Sequence, residues 1–175
     1  MAFASRKSAR EAGPLTPQVL EDAALRYLNR FDCSVDKLRS HLKALIRRRA
    51  GDATLATHVE SLIERYRASG LLDDQRFGKN LAERFQARGA SKRMVVQKLR
   101  ARGISRDVAD DVARSSPGSE LESARAYVRR RRLGPHRPEA ERAVNRRRDL
   151  AALARQGFDH DTASRALGHG TDDDF

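Results

Sequence analysis

The stretch ASGLLDDQRFGKNLAERFQARGASKRMVVQKLRARGIS, residues 68–105, decides the fold. It holds two breaks in which Gly precedes a large apolar residue, Gly70-Leu71 and Gly103-Ile104, and each closes a helical pattern. Glycine just past a helix takes the left-handed conformation at low cost, and the apolar residue after it is expected to pack back on the last turn. Between the breaks, Asp73 or Asp74 is expected to cap a helix with Phe77, Leu81 and Phe85 inward. Ser91 should cap one with Met94, Val95 and Leu99 inward, and Ser105 one with Val108, Ala109 and Val112. A third break, Gly157-Phe158-Asp159, repeats the pattern far downstream.

The same rules extend outward. Thr16-Pro17 is a helix start, with Thr as N-cap and Pro at the first helical position, and Leu20, Ala23, Ala24, Tyr27, Leu28 and Phe31 form one inward stripe. Ser34 precedes a second stripe of Val35, Leu38, Leu42, Leu45 and Ile46; a third, after Gly51-Asp52, holds Leu55, Val59, Leu62, Ile63 and Tyr66. Beyond the turn Ser116-Pro117-Gly118, Ser119 and Glu122 have capping-box spacing, with Leu121, Ala124, Tyr127 and Val128 facing in. Pro138 opens a long helix with Ala143, Val144, Leu150 and Leu153, and Asp159 a short one with Ala163 and Leu167. Ser34, Leu38 and Leu42 overlay Ser91, Val95 and Leu99 at a shift of 57, and Leu99, Gly103, Ile104, Asp107 and Ala109 overlay Leu153, Gly157, Phe158, Asp161 and Ala163 at a shift of 54. A three-helix unit of roughly fifty residues therefore recurs, and no segment alternates as a strand would. The expected fold is all-α, an elongated tandem array of three three-helix modules at residues 16–70, 71–116 and 117–168. A disordered basic tail is expected at 1–15 and an acidic tail at 169–175.

With 36 Lys and Arg against 24 Asp and Glu, the net charge of +12 draws polyanions, so a nucleic acid or nucleoprotein is the first partner to consider. The single Cys33 makes no internal disulfide and fits a reducing compartment. No apolar run approaches the roughly 20 residues that span a bilayer, and the first residues lack the apolar segment of a secretory signal. A cytoplasmic protein without membrane partners, and a monomer, is expected.

The string SGLLDDQRFGKNLAERFQARGASKRMVVQKLRARGIS resembles the central signature of the RecX family, bacterial regulators of the RecA recombinase. RRRDLAALARQGFDHDTASRALG is similar to that family's last module and ALRYLNRFDCSVDKLRSHL to its first, so the resemblance covers roughly Leu20 to Gly168. The chain departs from the family pattern at Lys37, at Ala163 and in a longer 43–58 linker region that holds Arg47, Arg48 and Arg49. The resemblance implies tandem three-helix modules. It also implies a non-enzymatic regulator that binds the RecA filament on single-stranded DNA and inhibits its ATP turnover, growth or strand exchange. Single-stranded DNA is the expected nucleic acid, with duplex DNA as a further partner. A helix-turn-helix transcriptional regulator is the alternative, because three-helix modules with a basic helix serve both.

Candidate site residues follow from charge. Arg84, Arg88, Lys92, Arg93, Lys98, Arg100, Arg102 and Arg106 lie in a run without an acid. With Val95 and Leu99 inward, Arg93, Gln97 and Arg100 share the opposite face. Such a stripe suits phosphates or an acidic protein groove, and equally a solvated helix face. A second cluster holds Arg129, Arg130, Arg131, Arg132 and Arg137, then Arg146, Arg147 and Arg148, of which Arg129, Arg130, Arg146 and Arg147 are the expected contacts. Asp73 and Asp74 suggest acid–base or metal chemistry, or N-capping, and their place before a helix favours capping. Phe77 belongs to a core stripe, and Tyr27, Tyr66 and Tyr127 lie on inward stripes, which argues against base stacking as the main binding mode. His41, His58, His136, His160 and His169 lack zinc spacing, and no phosphate-binding glycine loop or nucleophile elbow occurs. No catalytic residue, metal or cofactor is expected.

Overall fold

The computed structural model describes residues 14–168. The two expected tails lie outside these residues, except that Leu15 packs against the first core. Among the described residues all regular structure is helical: α1 (Pro17–Arg30), α2 (Val35–Arg48), α3 (Thr54–Ala68), α4 (Asp74–Ala87), α5 (Lys92–Arg100), α6 (Arg106–Ser115), α7 (Glu120–Arg131), a 3-10 turn (Gly134–His136), α8 (Glu139–Arg155) and α9 (His160–Ala166). Two compact units form, one ending at Asp74 and one beginning at Gln75.

Each set of three helices buries its own apolar stripes. Leu20, Leu38, Leu42, Val59 and Ile63 are fully enclosed in the first cluster, Val95, Leu99 and Val112 in the second, and Ala124 and Leu153 in the third. Burying one such Leu or Val side chain is worth about 1.5–3 kcal/mol. Cys33 lies in the first cluster, where burial, followed by the charges of Asp32 and Asp74, pushes its thiol up to about 11. It is therefore an unreactive core residue.

The helix starts follow the expected chemistry. The hydroxyls of Thr16, Ser34, Ser91, Ser105 and Ser119 accept the capping N–H bonds of α1, α2, α5, α6 and α7, the carboxylate of Asp159 does so for α9, and Ser119 and Glu122 complete a capping box. Of the two expected capping candidates, Asp73 holds the position before α4 and Asp74 acts elsewhere. Asp74 stands inside α4, and its Oδ1 accepts the N–H of Val35 at 2.9 Å, so it caps α2.

At the helix ends, Gly103 (φ 83°) donates to the Arg100 carbonyl at 2.9 Å while Ile104 N–H reaches the Leu99 carbonyl at 3.2 Å. Gly157 and Phe158 repeat this on Ala154 (2.9 Å) and Leu153 (3.3 Å), and both Ile104 and Phe158 are buried. Gly70 differs. The bond to the Tyr66 carbonyl comes from Leu72 (3.0 Å), and Leu72 is buried whereas Leu71 is 45% exposed. The turn is one residue longer, which moves the anchoring side chain along by one.

Three other inward assignments fail. Phe31 ends α1 and is 47% exposed, and Val144 (84% exposed) and Ala143 lie on the half of α8 that extends past its core. Arg47 and Arg48, read as linker, form the last turn of α2, where cations suit the helix dipole.

Within the second unit, Gly89 (φ 81°) lies against α7 so closely that an added Cβ would stand 2.5 Å from the Tyr127 backbone nitrogen. Ser91 Oγ donates to the Gln156 carbonyl at 2.6 Å, and Lys92 N–H donates to Glu120 Oε1 at 2.6 Å. These contacts join the second and third clusters.

Gly70 and Gly89 therefore make a controlled pair. A Cβ on Gly70 meets nothing within 4 Å, so Gly70→Ala should cost only the left-handed strain, about 1 kcal/mol. Gly89→Ala adds a backbone clash and should cost about 3 kcal/mol. Urea unfolding of the two variants checks this, and equal losses would refute the Gly89–Tyr127 approach.

Candidate functional site

The basic run of α5 is built on a helix whose start is anchored twice, by Ser91 from its own chain turn and by Glu120 from α7. Val95 and Leu99 fill the core, which leaves Arg93, Gln97 and Arg100 exposed. Arg93 also lies beside the α8–α9 turn, where a Cβ added at Gly157 would stand 3.4 and 3.5 Å from its Cβ and Cδ. Lys92, Arg93 and Val96 line one wall of a groove of about 420 Å³ whose other wall is Asp110, Ala113 and Arg114 of α6. The acid-free sequence run thus acquires acids in space, Glu120 at the helix start and Asp110 across the groove.

The remaining expected contacts in this half separate. Lys98 turns toward α4, with its Nζ 5.4 Å from the centre of the Phe85 ring. Arg88 is exposed in the α4–α5 turn, and Arg102 is exposed beyond the end of α5. Lys98 and Arg100 occupy the last turn of α5, where they also offset the negative end of the helix dipole. Arg93 and Arg100 therefore form the outward pair, flanked by Lys92.

In the third cluster Arg129 and Arg130 are exposed on the last turn of α7, with the Arg130 guanidinium 5.9 Å from the Tyr127 ring centre, and Arg146 and Arg147 are exposed on α8. A more enclosed recess of about 250 Å³ collects their neighbours instead: Arg131, Leu133, Arg137, Arg148, Asp149, Ala152 and Arg155. At its base Asp149 is 1% exposed. Its Oδ2 accepts from Arg137 Nε and from the Gly134 N–H, each at 2.9 Å, and its Oδ1 accepts from Arg137 Nη2 at 2.9 Å. Burial pushes the Asp149 carboxyl up, but these donors, with the charges of Arg137 and Arg148, hold it below its ordinary value. Arg137 is thereby locked in a planar two-bond fork, while Arg131 and Arg155 have no carboxylate partner among the described residues.

Asp149 had a sequence signal that charge counting passed over. It lies one turn before Leu153 on the buried stripe of α8, and a carboxylate at such a position needs a cation brought to it. No three His, Cys, Asp or Glu side chains gather as metal ligands among the described residues. His41 instead stacks on Tyr27 with ring centres 4.2 Å apart.

The helices and their faces define an all-α repeat protein that displays ordered arginines. The family model described as the second three-helix domain of RecX matches residues 73–112, the segment from Asp73 through most of α6. Similar proteins include the Regulatory protein RecX of Myxococcus xanthus (strain DK1622), 36% identical over 90% of this chain and 91% of that one. That of Halorhodospira halophila (strain DSM 244 / SL1) is 32% identical over 94% and 95%. The chain belongs to the RecX family. Its relatives are named regulatory proteins, and no helix among the described residues is long and apolar enough to cross a membrane.

The Arg137–Asp149 pair makes a test of its own. Asp149→Asn leaves Arg137 without its charge partner and should destabilise the protein by about 3 kcal/mol at neutral pH. Because the folded-state pKa of Asp149 lies below the unfolded value, this advantage is complete above the ordinary carboxylate pKa near 3.8 and fades as pH falls through the lower folded value. Urea midpoints of both proteins measured from neutral pH downward should therefore converge in acid; a constant gap would contradict an ionised Asp149.

Proposed function

We propose that this protein is a non-enzymatic regulator of the RecA recombinase. In this reading it binds the RecA filament on single-stranded DNA and lowers its ATP turnover, growth or strand exchange. The observation that carries the reading is membership of the RecX family across about nine-tenths of the chain, with 36% identity to a regulatory protein. The setting is cytoplasmic DNA repair and recombination, including the SOS response, and the acting species is a monomer. Its three-helix modules, at 16–70, 71–116 and 117–168, are the binding units.

The basic faces supply a physical means. Arg93 and Arg100 on α5 are placed to meet DNA phosphates or an acidic groove of the filament, with Arg129, Arg130, Arg146 and Arg147 as further contacts. Several modest contacts on one chain reinforce one another, since each engaged face raises the effective concentration of the next. Arg93 is well suited to this role, because it is exposed beside the Gly157 turn and faces solvent. Inhibition follows if the protein prefers a filament state that cannot grow or turn over ATP.

Single-stranded-DNA-dependent ATP hydrolysis by RecA, titrated with this protein at near-physiological salt, tests the reading. Turnover should fall at protein levels too low to coat the DNA. The double variant Arg93→Glu/Arg100→Glu should need at least about tenfold more protein for the same effect while keeping its helicity. No effect on RecA, together with sequence-selective duplex binding that survives competitor DNA, would favour the transcriptional-regulator alternative.

A further inference from the structure

The first unit carries a surface that the arginine clusters do not explain. Between α1 and α2 runs an open groove of about 320 Å³ lined by Val19, Ala23, Arg26, Tyr27, Arg30, Phe31, His41, Leu45 and Arg49. Its lining holds three aromatic rings, three arginines and no carboxylate.

The rings are ordered. His41 stacks on Tyr27 at 4.2 Å with an interplanar angle of 24°, and Phe31 stands 5.2 Å from Tyr27 at 48°. Burial, reinforced by the nearby Arg48 charge, pushes the His41 pKa down, so the stacking partner of Tyr27 is the neutral imidazole at neutral pH. Among the described residues, Phe31 is the one aromatic side chain in the set of exposed large hydrophobics, at 47% exposure. It lies outside the apolar cluster that α1, α2 and α3 share. The Arg30 guanidinium sits 5.3 Å from the Phe31 ring centre. The open Phe31 ring, tilted against Tyr27 and accompanied by cations, matches a ligand that is itself a flat ring on an anionic backbone. Base stacking on aromatic side chains beside a positive groove is how unpaired nucleic acid is held without sequence preference.

We propose that the α1–α2 groove is a stacking site for a base of single-stranded nucleic acid, with Phe31 and Tyr27 as the platform and Arg26 and Arg30 taking the adjacent phosphates. Tyr66 and Tyr127, each only 5% exposed, offer no ring face to a base, whereas this edge of α1 does. The charge complementarity selects a polyanion over an uncharged apolar segment of a protein. The rings select nucleic acid over an acidic peptide, which would use the arginines alone.

The proposal concerns naked single strands and can be tested without RecA. Binding of the full chain to an oligothymidylate is compared with binding to an abasic sugar-phosphate strand of equal length. The chain has no Trp, so Phe31→Trp places a single, selectively excitable tryptophan in the groove. Three results are expected. The wild type prefers the base-bearing strand; Phe31→Ala lowers affinity for that strand by roughly 5- to 50-fold, with the abasic strand bound as before; and Phe31→Trp keeps the preference while its emission is quenched by oligothymidylate. Equal loss on both strands, or no preference in the wild type, overturns the stacking site. Quenching by polyglutamate but not by oligothymidylate would overturn it too, and would assign the groove to an acidic protein segment. Neither failure touches the RecA reading, which is decided by ATP turnover.

Discussion

A helix that begins inside a protein must find oxygen acceptors for its first N–H groups, and α2 and α5 solve this in the same way. Ser34 and Ser91, both fully buried, supply the hydroxyl caps. The first residue of a later helix supplies a carboxylate to the next N–H: Asp74 of α4 to Val35, and Glu120 of α7 to Lys92. Val35 and Lys92 are 57 positions apart, the same offset that relates Ser34 to Ser91, so the interaction repeats along with the stripes. Each middle helix is thereby tied to the chain that follows its own three-helix set.

In the second unit this tie is extended. The Ser91 hydroxyl both accepts from Met94 N–H and donates to the Gln156 carbonyl, while the bare Cα of Gly89 lets the α7 backbone come close. Gly157 leaves room for Ser91 and the Arg93 stem. Separating the second and third clusters would orphan a carbonyl and an N–H and expose buried apolar surface, each unfavourable in itself. The arginines therefore differ in kind. Arg137 is held by a buried carboxylate, whereas Arg93, Arg129, Arg146 and Arg147 project from exposed helix surface. An ordered cation gives up less side-chain entropy when it meets a phosphate or carboxylate, so equal formal charges contribute unequally to binding.

If the protein acts as the proposed filament regulator, selectivity comes from matching several surfaces of a partner at once. A basic face on α5, an arginine recess over Asp149 and an aromatic groove on α1 differ in chemistry: the first two suit anions, and the third is proposed to take a base. The proposed partner, a filament of protein on single-stranded nucleic acid, offers a counterpart to all three.

Most helices and their caps were legible in the sequence because they are local. Serine, threonine and aspartate caps act within three residues, apolar stripes follow the helical period, and Gly103 and Gly157 stop their helices by backbone conformation alone. The same local logic misplaced Leu71, because turn length, not the glycine, decides which of Leu71 and Leu72 reaches the core. It missed the stop at Arg132, which takes φ 53° without being glycine. The charge count exposed the basic character of the chain but not which arginines would be held. That depends on partners distant in sequence: Asp149 for Arg137, Phe85 for Lys98. Period and caps are properties of neighbours along the chain, and so the sequence by itself determined the all-α repeat. Ion pairing, burial of Asp149 and exposure of Phe31 arise only when separate helices meet, and so only the tertiary structure decided them.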